Sequence, residues 1–176
     1  MSTWIADYLD AWNSHDGNKV ASFMTDDVFY EDLAVGQVHE GKATIAAFVQ
    51  RTDVFSQDYE FVSVSEQSSG DSYAFEWEMI GTNTGEGAGL PATNKPFRIR
   101  GVSVGTLDSS GKIKHNRDYW NLADYLMQVG ILPPRPRAGP LGPHSRRLST
   151  QRPPSANRHR AYPDPERVLH GRTPRM

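Results

Sequence analysis

The chain has 176 residues, no cysteine and a formal net charge of −2. The length suits one domain of ordinary size. The missing cysteines exclude a disulfide framework, a thiolate nucleophile and any Cys-based zinc or iron–sulfur centre. The near-neutral charge hides two unlike parts. Residues 1–132 hold nine Lys/Arg against nineteen Asp/Glu and all four Trp, whereas residues 133–176 hold ten Arg, two acids and ten of the twelve Pro. A domain over 1–132 and a disordered Arg/Pro-rich tail over 133–176 are expected, because the tail cannot bury enough apolar surface to offset its chain entropy. Arg scattered among Pro with a single Tyr is a poor nucleic-acid arm, so no nucleic-acid partner is expected. The start, MSTWIADYLDAW, lacks the basic-then-apolar run of a secretory leader. No apolar run approaches the roughly 20 residues that span a bilayer. The expectation is a cytoplasmic protein without membrane contact.

Trp4, Ile5, Tyr8, Leu9 and Trp12 recur at helical spacing and predict a first helix. Asp16 caps a short second one carrying Val20, Phe23 and Met24. Val28–Asp32 reads as a short strand with Val28, Tyr30 and Asp32 on one face, and Leu33–Glu40 as a turn and return strand. A third helix runs from Lys42 to about Thr52 with Ile45, Phe48 and Val49 on its buried stripe.

From Tyr59 the period changes to two. A strand leads into the turn SSGD at 68–71. A long strand follows in which Tyr73, Phe75, Trp77 and Met79 alternate with Ala74, Glu76, Glu78 and Ile80. After a glycine-rich loop over 85–91 come strands at Phe97–Leu107 and Ile113–Trp120, then a closing helix capped by Asn121 and ended by Gly130. Helices on one face of a curved, bent antiparallel sheet make an α+β domain with a pocket between them.

The last strand places one acid, Asp118, among aromatics and bases, with Trp120 on its face. A sheltered carboxyl is a proton-transfer candidate because desolvation raises its pKa. The competing arrangement is an ion pair with Arg98 or Arg100. Tyr30 and Asp32 share a strand face and can orient a carbonyl or a water. Glu76 and Glu78 share a face opposite Trp77; alternation favours the tryptophan face as core and the glutamates as solvated, although two acids in a cavity would also force one to protonate. The string Gly101-Val-Ser-Val-Gly105 matches a nucleophile elbow, but it lies inside a strand and lacks the partners that motif needs. His15, His39 and His115 are isolated, so no metal is expected.

GKI…RDYW at 111–120 with its following helix, QVGILP at 128–133, YED at 30–32 with HEGKATIAAFV at 39–49, and KPFRIRGVSV at 95–104 carry a resemblance. Over about residues 3–132 the chain resembles the SnoaL-like polyketide cyclases and limonene-epoxide hydrolases of the nuclear-transport-factor-2-like superfamily. The resemblance implies a cone around an apolar pocket, no cofactor, a homodimer and a small apolar substrate. Asp118 matches the last-strand Asp that is general acid/base in the cyclases and part of the water-activating Asp–Arg–Asp group in the hydrolases. Tyr30 matches a water-holding Tyr, and Asp32 stands in place of an Asn. The middle-strand Arg-x-Asp falls on Glu76 and Glu78, a Trp two residues before the final acid is Asn116, and the supporting His of the cyclases falls near Ser103. The resulting expectation is a cyclase or isomerase for a polyketide, terpenoid or steroid-like compound. It assigns Asp118, Tyr30 and Asp32 to catalysis and Trp120, Asn116, Trp77, Glu76, Glu78 and Ser103 to substrate contact. Epoxide hydrolysis and non-catalytic ligand binding are the alternatives.

Overall fold

Six strands form one sheet in the order β2-β1-β6-β5-β4-β3. The structure, a computed structural model, describes residues 4–87 and 90–135. The expected tail beyond Arg135 lies outside the described residues, while Met1–Pro136 forms one compact unit. The elements in chain order are α1 (Trp4–Asn13), α2 (Gly17–Ser22), β1 (Met24–Asp32), β2 (Gln37–Glu40), α3 (Lys42–Phe55), β3 (Glu60–Ser69), β4 (Ser72–Thr82), β5 (Pro96–Leu107), β6 (Ile113–Trp120) and α4 (Leu122–Gln128).

The α+β architecture and the antiparallel run β3–β6 match the sequence reading. One junction does not follow from the antiparallel expectation. The pair β1–β6 is parallel, with Tyr30 opposite Asn116 and Asp32 opposite Asp118. It is possible because the whole of β2 to β5 intervenes, far more than the crossover length a parallel pair requires. β1 is also longer than expected. Its start, Met24, does not close the second helix but pairs with Ile113 on the far side of a bulge.

Local rules explain the remaining boundaries. The Asp16 carboxylate accepts from the Asn18 and Lys19 amides at the start of α2. Asn121 does the same for the Asp124 amide at α4. Gly41 supplies the positive φ of 80° that turns the chain into α3, a conformation costly for any residue with a Cβ.

The sheet packs its inner face against α1 and α3. Ile5, Tyr8, Leu9 and Trp12 of α1 are buried, as are Ile45 and Val49 of α3. On β4 the inner face is Tyr73, Phe75, Trp77 and Met79, all buried. Opposite Trp77 on β5 stands Gly101. A Cβ there would collide with the indole ring, so the glycine lets the ring lie flat against the neighbouring strand. No described helix is long and apolar enough to cross a membrane.

Candidate active site

The space between the inner sheet face and the helices is a cavity of about 430 Å³. Ten of its lining residues are aromatic, from Tyr8 and Trp12 on α1 through Phe48 and Phe55 on α3 to Trp77, Trp120 and Tyr125. Its charged lining consists of Asp118, Asp32 and, on α3, the exposed Arg51. Gly87 and Leu90 of the glycine-rich loop complete the wall.

Asp118 is 8 % exposed. Three neutral donors converge on it. Ser103 Oγ donates to Oδ1 at 2.6 Å and Asn116 Nδ2 donates to the same oxygen at 2.8 Å. The Tyr30 hydroxyl donates to Oδ2. The donors are themselves held. Trp77 Nε1 donates to Ser103 Oγ at 3.0 Å, and the Tyr73 hydroxyl donates to Asn116 Oδ1 at 2.7 Å. Five side chains from β1, β4, β5 and β6 thus fix one carboxyl group.

Burial raises the Asp118 pKa to about 6; the three hydrogen bonds oppose this rise, and the nearby charge of Asp32 adds to it. Among the described residues no cation lies within ion-pair distance. The expected rival arrangement with Arg98 or Arg100 is therefore absent. Both arginines bind Glu78 on the opposite face, at 2.6 and 2.8 Å.

Asp32, 6 % exposed, lies beside Asp118 through the parallel β1–β6 register. Its Oδ1 accepts from Trp120 Nε1 at 3.0 Å and from the Ala34 and Val35 amides at 3.0 and 3.3 Å. Burial raises its pKa as well, against those donors. Among the described residues no donor reaches Oδ2.

Of the residues expected to contact substrate, Trp77, Trp120 and Ser103 line the cavity. Glu76 and Glu78 do not. They alternate outward on β4, where Glu76 accepts from Ser65 Oγ and Glu78 holds the two arginines. The strand period places Trp77 inside and its two neighbours outside. Asn116 is also corrected: it lies under the cavity and touches Asp118, not the lining. Ser103, at the position where the resemblance expects a histidine, donates to Asp118. It lies mid-strand, so the GxSxG string forms no elbow. His115 is exposed, facing Phe29. No group of three metal-binding side chains occurs among the described residues.

Two residues read only as core belong to the site. Tyr73 braces Asn116. The Tyr8 hydroxyl is buried beside Trp12 and Tyr30, and burial, with the Asp118 charge second, raises its pKa. Helical spacing gave Tyr8 an inward direction; nothing in the sequence placed it against a residue 110 positions away.

The architecture recurs in solved structures. A Catenulispora acidiphila DSM 44928 protein with a ketosteroid isomerase-like fold, crystallised with trimethylamine, is 22% identical, with 72% of this chain and 91% of that chain covered and a TM-score of 0.63. A Jannaschia sp. CCS1 protein described as a SnoaL-like polyketide cyclase is 20% identical over 73% and 90% of the two chains, TM-score 0.65. The epoxide hydrolase/cyclase-like enzyme SalBIII of salinomycin pyran ring formation is 22% identical over 68% and 89%, TM-score 0.58. These likenesses show a shared fold. No curated protein sequence matches the chain. A family model, the SnoaL-like domain, matches residues 5–116, ending just short of Asp118. The chain belongs to the SnoaL-like domain family.

Proposed function

We propose that this domain is a cyclase or isomerase acting on a small apolar metabolite of polyketide, terpenoid or steroid-like kind, with Asp118 moving the proton. The observation that carries the reading is a carboxyl with pKa near 6, buried at an apolar cavity and braced by neutral donors alone. Such a group exchanges a proton near neutral pH, whereas an ion-paired structural carboxylate does not. Solved structures described as SnoaL-like polyketide cyclases support the same class.

Each carboxylate oxygen has two lone pairs. Ser103 and Asn116 occupy both on Oδ1, and Tyr30 occupies one on Oδ2. Oδ2 keeps one free and is the basic atom. It takes a proton from carbon next to a substrate carbonyl, leaving an enolate. The enolate attacks an internal carbonyl in a cyclase, or is reprotonated at another carbon in an isomerase. The carboxylic acid then returns the proton. Tyr30 and Asp32 flank the reacting centre, and Trp77 and Trp120 exclude water from it. No cofactor enters this sequence.

The test is deuterium uptake from D2O into apolar enolisable ketones, followed by NMR. The wild-type protein should exchange faster than Asp118→Asn by about 10²–10⁴-fold. Equal rates overturn the assignment, and a low Asp118 pKa in a carboxyl titration would leave only a binding module.

Two carboxylates and a tyrosine in one cavity also suit epoxide opening, and the epoxide hydrolase/cyclase-like enzyme SalBIII shares the fold. Among the described residues no guanidinium stands beside Asp118, as the hydrolase group would require. Label from ¹⁸O-water in a diol product would favour this second reading. The outer face exposes Val62, Val64 and Tyr119, which supports a homodimer through the sheet. Sedimentation as a monomer at micromolar concentration would contradict that.

A further inference from the structure

The cavity holds two buried carboxyl groups, and among the described residues no cation lies within ion-pair distance of either. Asp118 spends its hydrogen-bonding capacity largely on neutral donors. Asp32 is different. Three donors crowd Oδ1 and none reaches Oδ2, although the residue is nine-tenths buried and lines the cavity. Oδ2 is left open to the cavity, where a charged donor makes a stronger hydrogen bond to it than a neutral one. Arg51, also in the lining, is exposed and is not among the groups that shift Asp32.

The walls point the same way. Ten aromatic residues surround the space, Trp120 among them, and it is the indole that binds Asp32. Aromatic rings attract cations through their negative faces, most strongly where water is excluded. An anionic ligand would instead meet two like charges.

We propose that the ligand of this cavity carries a basic nitrogen, bound as an ammonium group by Asp32 Oδ2 and the surrounding rings. The proposal deepens the acid/base reading above and rests on it for the division of labour: Asp32 anchors the nitrogen and Asp118 acts on the carbon skeleton. It narrows the substrate class from apolar metabolites in general to apolar amines.

Three probes of similar shape test it: 2-phenylethylammonium, 2-phenylethanol and 3-phenylpropanoate, each titrated into the full chain at neutral pH by calorimetry or NMR. The ammonium probe should bind about tenfold tighter than the alcohol, with the carboxylate weakest. Asp32→Asn should erase the ammonium preference, with a thermal melt followed by circular dichroism showing that the variant is folded. Equal binding of the three, no binding of any, or a preference that survives Asp32→Asn overturns the proposal. The two readings fail separately. Deuterium exchange that depends on Asp118 alongside indifferent probe binding refutes only the ammonium anchor. A clear ammonium preference without Asp118-dependent exchange supports the anchor and refutes the proton-transfer reading.

Discussion

The two faces of the sheet carry the same chemical group to opposite ends. On the inner face, Asp118 meets three neutral donors and no cation, and burial raises its pKa to about 6. On the outer face, Glu78 meets two guanidinium groups, first Arg100 and then Arg98, which hold its pKa below the ordinary range. Glu78 lies on β4, Asp118 on β6, and β5 runs between them. A carboxylate is pushed toward neutrality or held ionised by the face it occupies and the company it keeps there, not by its residue type.

The sharpest way to break this comparison is to neutralise each acid in turn. Asp118→Asn should lower proton exchange by about 10²–10⁴-fold, whereas Glu78→Gln, which releases two arginines to solvent, should change it less than about twofold. Rates that fall alike would deny the inner face its special role.

Stability should separate the faces too. The folded Asp118 pKa lies above its ordinary 3.8. Its favourable contribution is complete below about pH 4 and is lost as pH rises through about 6, at a cost of about 3 kcal/mol. Asparagine escapes that cost, so Asp118→Asn should gain on the wild type by up to this amount between pH 4 and pH 8 in denaturant titrations. A constant difference across that range would contradict the raised pKa.

Smaller changes sharpen the picture. Ser103→Ala removes one donor from Asp118 and leaves Trp77 Nε1 without its acceptor. It should cost about 1–3 kcal/mol. It should also move the acid limb of the pH–rate profile above 6, since the lost hydrogen bond lowers the Asp118 pKa. Tyr73→Phe, one step further out, frees Asn116 Oδ1 and should cost about 1 kcal/mol with the limb near its original place. A limb that moves further for Tyr73→Phe than for Ser103→Ala would reverse the order of dependence.

Alternation in the sequence was enough to put Tyr73, Phe75, Trp77 and Met79 inside and Glu76 and Glu78 outside. The family motif suggested the reverse use of those glutamates, and the strand period prevailed. Asp118, Tyr30 and Asp32 are legible mainly through the family resemblance, and the structure brings all three to one cavity. The bracing of the site was not. Ser103 reaches Asp118 only through the β5–β6 register, and Tyr73 reaches Asn116 across an intervening strand. Register between distant strands depends on bulges and turn geometry that one sequence shows poorly. The parallel β1–β6 pairing was hidden for the same reason.

That pairing has a consequence for how the protein is made. The hydroxyl of Tyr30 and the carboxyl of Asp118 are separated by 88 residues of chain. During synthesis β1 must wait for β6, the last strand to be translated, before its inner edge is covered. A chain halted before Ile113 would present two raw sheet edges, β1 and β5, to other nascent chains. The floor of the cavity is therefore its latest-closing part, and the long loop that must close before β1 and β6 pair is expected to slow folding.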